Sequence, residues 1–183
     1  MRVLLDPDSV TRGLRRVAGE IVERHRGTEG IVIIGVRRGG IAIARELVRL
    51  LREVEGREIP VGTVDITLYR DDAATALPNP RIGPSAVPVS LEGKSVVLVD
   101  DVVYTGRTIR AALDALMDYG RPRRIELAAL VDRGGRELPV QPDYVVRTVD
   151  VAPAERIDVV DGVDGIRAVV LPGSSPSTPP EKP

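Results

Sequence analysis

Several reactive or aromatic residue types are absent from the sequence, or nearly so. The 183 residues include no Cys, no Trp, no Phe and a single His. Without Cys the chain can form no disulfide, no thiolate nucleophile and no Cys-ligated zinc site. His25 cannot build a His-rich metal site, and near the end of a predicted helix it is expected to be a solvated residue without a catalytic role.

Long apolar runs and a strong excess of one charge are also absent. Charge and proline interrupt the N-terminal segment before a signal peptide could form, and no later run approaches membrane-spanning length. The formal net charge of -1 excludes broad electrostatic attraction to nucleic acid or to a membrane, so RNA binding would need a local basic patch. We therefore expect a cytoplasmic protein with no membrane partner.

The apolar pattern alternates between the periods of strands and helices. Strands are predicted at residues 31–34, 63–69, 96–99, 125–131 and 144–149, and helices at residues 9–22, 41–51 and 109–117. Asp8 or Ser9 is placed to cap the first helix. Strands that alternate with helices predict an α/β fold with a central, mostly parallel sheet flanked by helices, and with ligands at the carboxyl ends of its strands.

Length and composition predict one domain with two irregular segments. The 43% hydrophobic content is enough for a single core, which we assign to residues 1–172. Residues 70–88 contain four prolines and no periodicity, which is typical of a functional lid or a disordered loop. Residues 173–183 are rich in Pro and Ser and are expected to form a disordered tail.

The strongest functional signal is the segment 96–108, which reads Val-Val-Leu-Val-Asp-Asp-Val-Val-Tyr-Thr-Gly-Arg-Thr. Its strand delivers Asp100 and Asp101 to the carboxyl end, where they can accept hydrogen bonds from a vicinal diol such as that of ribose. The following loop offers hydroxyl groups and a glycine at a helix N-terminus, where free N–H groups favour a phosphate. A strand-end Asp can also cap a helix and Thr-Gly can form an ordinary turn, but the features in this order favour a ribose-phosphate site.

This segment resembles the signature with which type I phosphoribosyltransferases bind 5-phosphoribosyl-1-pyrophosphate (PRPP). Two further segments are similar to the bifunctional PyrR family: residues 64–72, Val-Asp-Ile-Thr-Leu-Tyr-Arg-Asp-Asp, and residues 130–139, Leu-Val-Asp-Arg-Gly-Gly-Arg-Glu-Leu-Pro. The resemblance covers about residues 6–170. It implies a type I phosphoribosyltransferase fold with a mobile hood at about residues 68–90.

The resemblance implies two activities. One is the reaction of uracil with PRPP to give UMP and pyrophosphate, with Mg²⁺ bound mainly through PRPP and water. The other is regulation of pyrimidine biosynthesis by transcription attenuation, through binding of the pyrimidine-operon mRNA leader in the presence of UMP or UTP, by a homodimer or homotetramer. Two alternatives stay open: a phosphoribosyltransferase for another nucleobase without an RNA-binding role, and a non-catalytic RNA-binding regulator.

The same resemblance implies roles for the residues of two loops. Asp100, Asp101 and Arg107 are expected to be catalytic. The loop that binds the 5-phosphate would comprise Val102, Val103, Tyr104, Thr105, Gly106, Arg107 and Thr108. The pyrophosphate loop would comprise Arg37, Arg38 and Gly39. Here the family's usual Thr-Arg-Gly is replaced by Arg-Gly-Gly, and a plain glycine turn is the alternative.

Arginines outside these loops are also assigned by the resemblance. The hood would contribute Arg70 and Arg81, and the base pocket Arg133 and Ile157. Arg81 could equally be solvated, and Arg133 could form a surface ion pair. The RNA-binding residues are expected to be Arg12, Arg15, Arg16 and Arg136, although the first three could also form a solvated helix face. No protein side chain is expected to bind the metal, and Asp71 and Asp72 are interpreted as a solvated pair.

Overall fold

The computed structural model describes residues 1–67, 69 and 85–172 of the chain. The strands in these ranges are β1 (Arg2–Leu5), β2 (Ile31–Val36), β3 (Val61–Val64), β4 (Ser95–Val103), β5 (Arg124–Asp132), β6 (Tyr144–Thr148), β7 (Glu155–Gly162) and β8 (Gly165–Pro172). The helices are α1 (Pro7–His25), α2 (Gly40–Glu55) and α3 (Arg107–Leu116), and a 3-10 helix (Met117–Tyr119) follows α3. Most of the predicted hood, and the whole predicted tail, lie outside the described residues.

Five of the strands form a parallel sheet in the order β3-β2-β4-β5-β6. Helices α1 and α2 pack on one face of this sheet and α3 packs on the other. Every residue of β2 is buried, as expected of a strand that is covered on both faces. The predicted α/β architecture is therefore confirmed, and the carboxyl ends of the strands meet at one edge of the sheet.

A second sheet contains three antiparallel strands in the order β1-β8-β7, and the sequence analysis did not predict it. Its first strand has four residues and pairs across almost the whole chain, with Val3 opposite Val169. A partner so distant in sequence leaves no local signal. On β7, Ile157 and the half-buried Val159 pack against the main core, so this sheet extends the hydrophobic core beside the parallel one.

The ends of three predicted elements were wrong. Helix α1 begins at Pro7, and its cap is Asp6 rather than Asp8 or Ser9, because Asp6 Oδ1 accepts a 2.7 Å hydrogen bond from Ser9 N. Strand β3 ends at Val64 instead of continuing to residue 69. Strand β4 continues beyond residue 99 to Val103, so the two acidic residues lie within the strand and not in the loop after it.

The prediction that His25 is solvated was also wrong. Its side chain is 8% exposed, and Nε2 lies 2.6 Å from Oε2 of Glu126, whose side chain is 4% exposed. The hydroxyl of Tyr144 donates to the same carboxylate oxygen at 3.0 Å. Burial alone would raise the pKa of Glu126, but hydrogen bonds from His25 and Tyr144 hold this pKa below its ordinary value. The contact ties the end of α1 to β5, at the amino end of the sheet.

We expect the His25→Leu variant to lower the free energy of unfolding by about 1–3 kcal/mol at pH 7, because it leaves a buried carboxylate with one partner fewer. Urea denaturation measures the change. A lowered folded pKa contributes stability only while the carboxylate is charged, so the difference from the native protein should vanish as the pH falls through the lowered pKa of Glu126. The control is Glu23→Gln, on an exposed residue of the same helix end, for which a change within about 0.5 kcal/mol is expected. Equal losses in both variants would contradict the prediction.

Candidate active site

Strand β4 places two adjacent carboxylates at the carboxyl edge of the sheet. Asp100 is 4% exposed, whereas Asp101 is partly exposed and lines an open cavity. Burial, and then the neighbouring Asp101 carboxylate, raise the pKa of Asp100 well above its ordinary value. Backbone amides support both groups: Asp101 N donates to Asp100 Oδ1 at 3.0 Å, and Val102 N donates to Asp101 Oδ1 at 2.8 Å. A donor-rich ligand such as a diol could satisfy the remaining carboxylate lone pairs.

The loop after β4 leads into the N-terminus of α3. Gly106 is the N-cap of this helix and has a positive φ of 91°, a conformation that glycine adopts without strain. As glycine it has no side chain to cap the helix, and Arg107 N lies 3.4 Å from Thr105 Oγ1. The backbone amides and the dipole at the N-terminus of a helix favour an anion.

A glycine loop between β2 and α2 presses against the same strand. A Cβ atom on Gly39 would lie 1.9 Å from Asp101 Oδ2, and one on Gly40 would lie 2.2 Å from the carbonyl oxygen of Val99. A side chain at Gly40 would therefore require the backbone of β4 to move, whereas one at Gly39 would require the side chain of Asp101 to shift. The loop therefore needs glycine for close approach, which a plain turn would not require. The peptide bond between Arg37 and Arg38 is cis.

A cavity of about 610 Å³ opens above this contact and carries charges of both signs. Its lining consists of Arg37, Arg38, Gly39, Ile41, Ala42, Arg45, Asp101, Val159 and Asp161. Three arginines beside one carboxylate suit a polyphosphate attached to a sugar. The sequence analysis missed Arg45 and Asp161. The position of Arg45 was detectable, because it lies four residues after Ile41 on the helix that follows the glycine loop.

Comparison with known proteins agrees with this geometry. Residues 4–160 match the family model of the phosphoribosyl transferase domain. The Bifunctional protein PyrR of Geobacter sulfurreducens is 55% identical over 158 residues, which is 86% of this chain and 89% of the relative. That of Pelotomaculum thermopropionicum is 50% identical over 169 residues, which is 92% of this chain and 93% of the relative. The chain belongs to the bifunctional PyrR family.

Solved structures support the fold assignment. The hypoxanthine phosphoribosyltransferase of Trypanosoma cruzi has a TM-score of 0.71 with this chain and covers 94% of this chain and 97% of its own, at 19% identity. At that identity the likeness shows the fold alone. The predictions of a type I phosphoribosyltransferase fold and of membership in the PyrR family are both confirmed.

The two residues predicted for the base pocket are not among those that line the cavity. The guanidinium of Arg133 lies 4.0 Å from the centre of the Tyr104 ring and donates to the carbonyl oxygen of Glu155 at 3.2 Å. Ile157 is 9% exposed and belongs to the core. Val159, two residues further along the same face of β7, lines the cavity instead.

The remaining predicted residues of the site differ in how directly they face it. Arg107 begins α3, and its side chain is 53% exposed and pairs with Glu137 at 2.6 Å. Arg70 and Arg81 lie outside the described residues.

Among the residues that the structure describes, no group of three or more His, Cys, Asp or Glu side chains could hold a metal ion, and no helix is both long and apolar enough to cross a membrane.

Three of the four arginines predicted to bind RNA lie on α1. Arg12 and Arg16 line a groove of about 400 Å³ between α1 and β6, together with Arg147, which the sequence analysis missed. Arg15 points toward α2 and pairs with Glu53 at 3.1 Å. The close contact of α1 with β6, where a Cβ on Gly13 would lie 2.2 Å from Val146, brings Arg147 beside the helix.

Arg136 does not join this surface. Its side chain is 13% exposed and pairs with Asp132 at 2.8 Å. It also donates to the carbonyl oxygens of Tyr104 and Val140, each at 2.7 Å. The expectation that Arg136 contributes to an exposed basic patch was therefore wrong, because the side chain braces the backbone of the phosphate loop.

We expect Asp100→Asn to raise the melting temperature at neutral pH. A carboxyl whose folded pKa lies above its unfolded value of 3.8 destabilises the fold once it is charged, so the native protein should lose stability relative to the variant as the pH rises above that unfolded value. Thermal melts at a series of pH values measure the effect. The control is Asp164→Asn, which removes a carboxylate outside this site, on a side chain that is 84% exposed. A constant offset between native protein and Asp100→Asn at every pH would contradict the prediction.

Proposed function

We propose that this member of the PyrR family transfers the 5-phosphoribosyl group of PRPP to uracil, giving UMP and pyrophosphate, and that it also regulates a pyrimidine operon by binding its leader mRNA. The observation that supports the catalytic half is the contact between the glycine loop and the paired carboxylates of β4, beside a cavity lined by three arginines. Membership in the PyrR family supports both halves.

Each part of PRPP has a complementary partner in the site. The 5-phosphate binds at the N-terminus of α3, where residues 105–108 offer amides and hydroxyls. The ribose 2- and 3-hydroxyls donate to Asp100 and Asp101. The pyrophosphate then lies over the glycine loop, where Arg38 and Arg45 stand within the same cavity. These three attachments hold the anomeric carbon between the two loops.

The reaction is a displacement at that carbon. The bond from the anomeric carbon to the pyrophosphate oxygen breaks, a bond to N1 of uracil forms, and the proton of N1 passes to the released pyrophosphate or to water. Positive charge develops on the sugar ring and negative charge on the leaving group, so the cavity arginines stabilise the transition state more than the ground state. No protein nucleophile is required, which agrees with a sequence without Cys.

Mg²⁺ fits this scheme as a partner of the substrate. Asp100 and Asp101 are the acidic side chains at the expected position of the sugar, and the described residues contain no larger metal-binding group. Held mainly by PRPP and water beside Asp100 and Asp101, Mg²⁺ would supply charge neutralisation for the leaving group. The choice of uracil as the base depends on family membership, because Arg133 and Ile157 do not line the cavity.

The RNA-binding half of the proposal uses the groove between α1 and β6. With a net charge of -1, affinity for RNA must come from a local concentration of positive charge. Arg12, Arg16 and Arg147 supply it around one groove. Two of these side chains make hydrogen bonds within the protein: Arg16 donates to the carbonyl oxygen of Val145 at 2.8 Å, and Arg12 donates to Ser9 Oγ at 3.0 Å. These hydrogen bonds hold the guanidinium planes in place for stacking on unpaired bases.

Self-association would double this surface without changing the net charge of each chain. Control by nucleotide is then a matter of linkage. If UMP or UTP favours the arrangement that binds RNA, then RNA raises the affinity for the nucleotide by the same factor.

For the enzyme, we expect uracil to be converted in the presence of PRPP and Mg²⁺, whereas hypoxanthine, guanine and orotate are not. Product analysis with each base in turn measures this.

The double variant Asp100→Asn/Asp101→Asn should reduce turnover steeply, by roughly ten- to a hundredfold for each lost charge-assisted contact. Asp164→Asn, on the exposed turn between β7 and β8, is the matched carboxylate control. A purine monophosphate as product would reassign the base, and full activity in the double variant would remove the assignment of the ribose site.

For RNA, we expect tight and sequence-specific binding of the pyrimidine-operon leader when UMP is present. Arg12→Ala and Arg147→Ala should each weaken binding and lower the slope of log affinity against log salt by about one, as loss of one phosphate contact does. The control is Arg156→Ala, on β7 and outside the groove, whose side chain is 58% exposed. Weak binding that is indifferent to sequence, to UMP and to all three substitutions would remove the regulatory half.

A further inference from the structure

Strands β2 and β3 end side by side and bring two opposite charges together. In their parallel register Val36 lies opposite Val64, and Arg37 N donates to the carbonyl oxygen of Val64 at 3.0 Å. Arg37 follows the last residue of β2, and Asp65 follows the last residue of β3. Arg37 Nε lies 3.8 Å from Asp65 Oδ2, which is an ion pair rather than a hydrogen bond.

The carboxylate of Asp65 is held in a fixed position. Its Oδ1 accepts from Thr67 N at 2.8 Å and from Thr67 Oγ1 at 2.5 Å, and Asp65 N donates to Ser85 Oγ at 2.9 Å. The side chain of Asp65 is 9% exposed, whereas that of Arg37 is 32% exposed and lines the cavity. The carboxylate of Asp65, which is held in place, therefore faces the guanidinium of Arg37, a flexible side chain at the cavity wall.

The Asp-Ile-Thr at residues 65–67 has no part in the binding of the 5-phosphate or the ribose described above. Arginine loses rotamer freedom when it is immobilised, and a partner that holds it in advance reduces this loss on binding. The charge of Asp65 is suited to this task because the other carboxylate oxygen is already engaged by Thr67.

We infer that Asp65 is a positioning residue: its carboxylate, held by Thr67, orients the guanidinium of Arg37 toward the pyrophosphate of the ligand. The inference deepens the proposed function and rests on it, because it assigns Arg37 to the pyrophosphate end of PRPP. Asp65 acts through Arg37 and does not contact the ligand.

The central variant is Asp65→Asn. Asparagine keeps an oxygen that can accept from Thr67 N, so the turn is retained while the charge that faces Arg37 is lost. We expect the KM for PRPP and the inhibition constant for pyrophosphate each to rise about three- to tenfold, as for loss of a partly exposed ion pair in a binding site. The affinity for UMP, which carries no pyrophosphate, should stay unchanged, as should the melting temperature within about 2 °C.

Two further variants separate orientation from a structural role. Arg37→Gln should give a rise at least as large, and the double variant Asp65→Asn/Arg37→Gln should be no worse than Arg37→Gln alone, because Asp65 has no effect without its partner. Asp158→Asn removes the charge from another Asp–Arg pair, at 3.2 Å from Arg156 on β7, and should leave all constants unchanged.

Calorimetric titration with pyrophosphate and with UMP keeps the inference distinct from the proposed reaction. If no base is converted by the native protein, the reaction fails, but the two titrations still report on Arg37 and Asp65. Equal weakening of UMP and pyrophosphate in Asp65→Asn would show a general structural role and overturn the inference. Tighter binding of pyrophosphate would also overturn it, since Asp65 would then withdraw Arg37 from the ligand.

Discussion

The close approach of the glycine loop to the end of β4 is the contact on which the site depends. A Cβ atom on Gly39 would meet the Asp101 carboxylate, and one on Gly40 would meet the Val99 carbonyl. Because β4 is the central strand of the parallel sheet, its position is set by β2 and β5 together. The glycine loop and the paired carboxylates are thereby held next to each other at the carboxyl end of β4.

The pKa values of the buried carboxyl groups at the two ends of the sheet are shifted in opposite directions. At the amino end, buried Glu126 is surrounded by donors, which lower its pKa and stabilise the fold. At the carboxyl end, buried Asp100 has another carboxylate as its neighbour, and its pKa is raised. The first carboxylate has its hydrogen-bond donors within the protein, whereas the second lies beside a like charge that disfavours its ionised form. Natural proteins tend to keep such unfavourable local arrangements where function requires them.

Much of this site could be predicted from the sequence. Asp100 and Asp101 lie at the carboxyl end of a buried strand and the Thr-Gly loop follows it, an order that favours a ribose-phosphate site from residue type alone. Residues that reach the cavity from elsewhere were harder to find. Arg45 and Asp161 lie on separate elements, and Ile157 was assigned to the pocket although it faces the core and Val159 reaches the cavity. Their places follow from helix phase, strand register and hairpin geometry, which no single segment encodes.

Local patterns by themselves determined the parallel sheet, its helices and the ribose-phosphate signature, because apolar periodicity and the order of residues in one loop act over short distances. Only the tertiary structure decided which charged side chains are available for binding. His25 was predicted to be solvated and Arg136 to bind RNA, yet His25 is buried against Glu126, and Arg136 pairs with Asp132 and is largely buried. Arg147 joined Arg12 and Arg16 only through the packing of α1 on β6. Burial and ion pairing depend on partners about 100 residues away in the case of His25, and such partners become neighbours only when the chain folds.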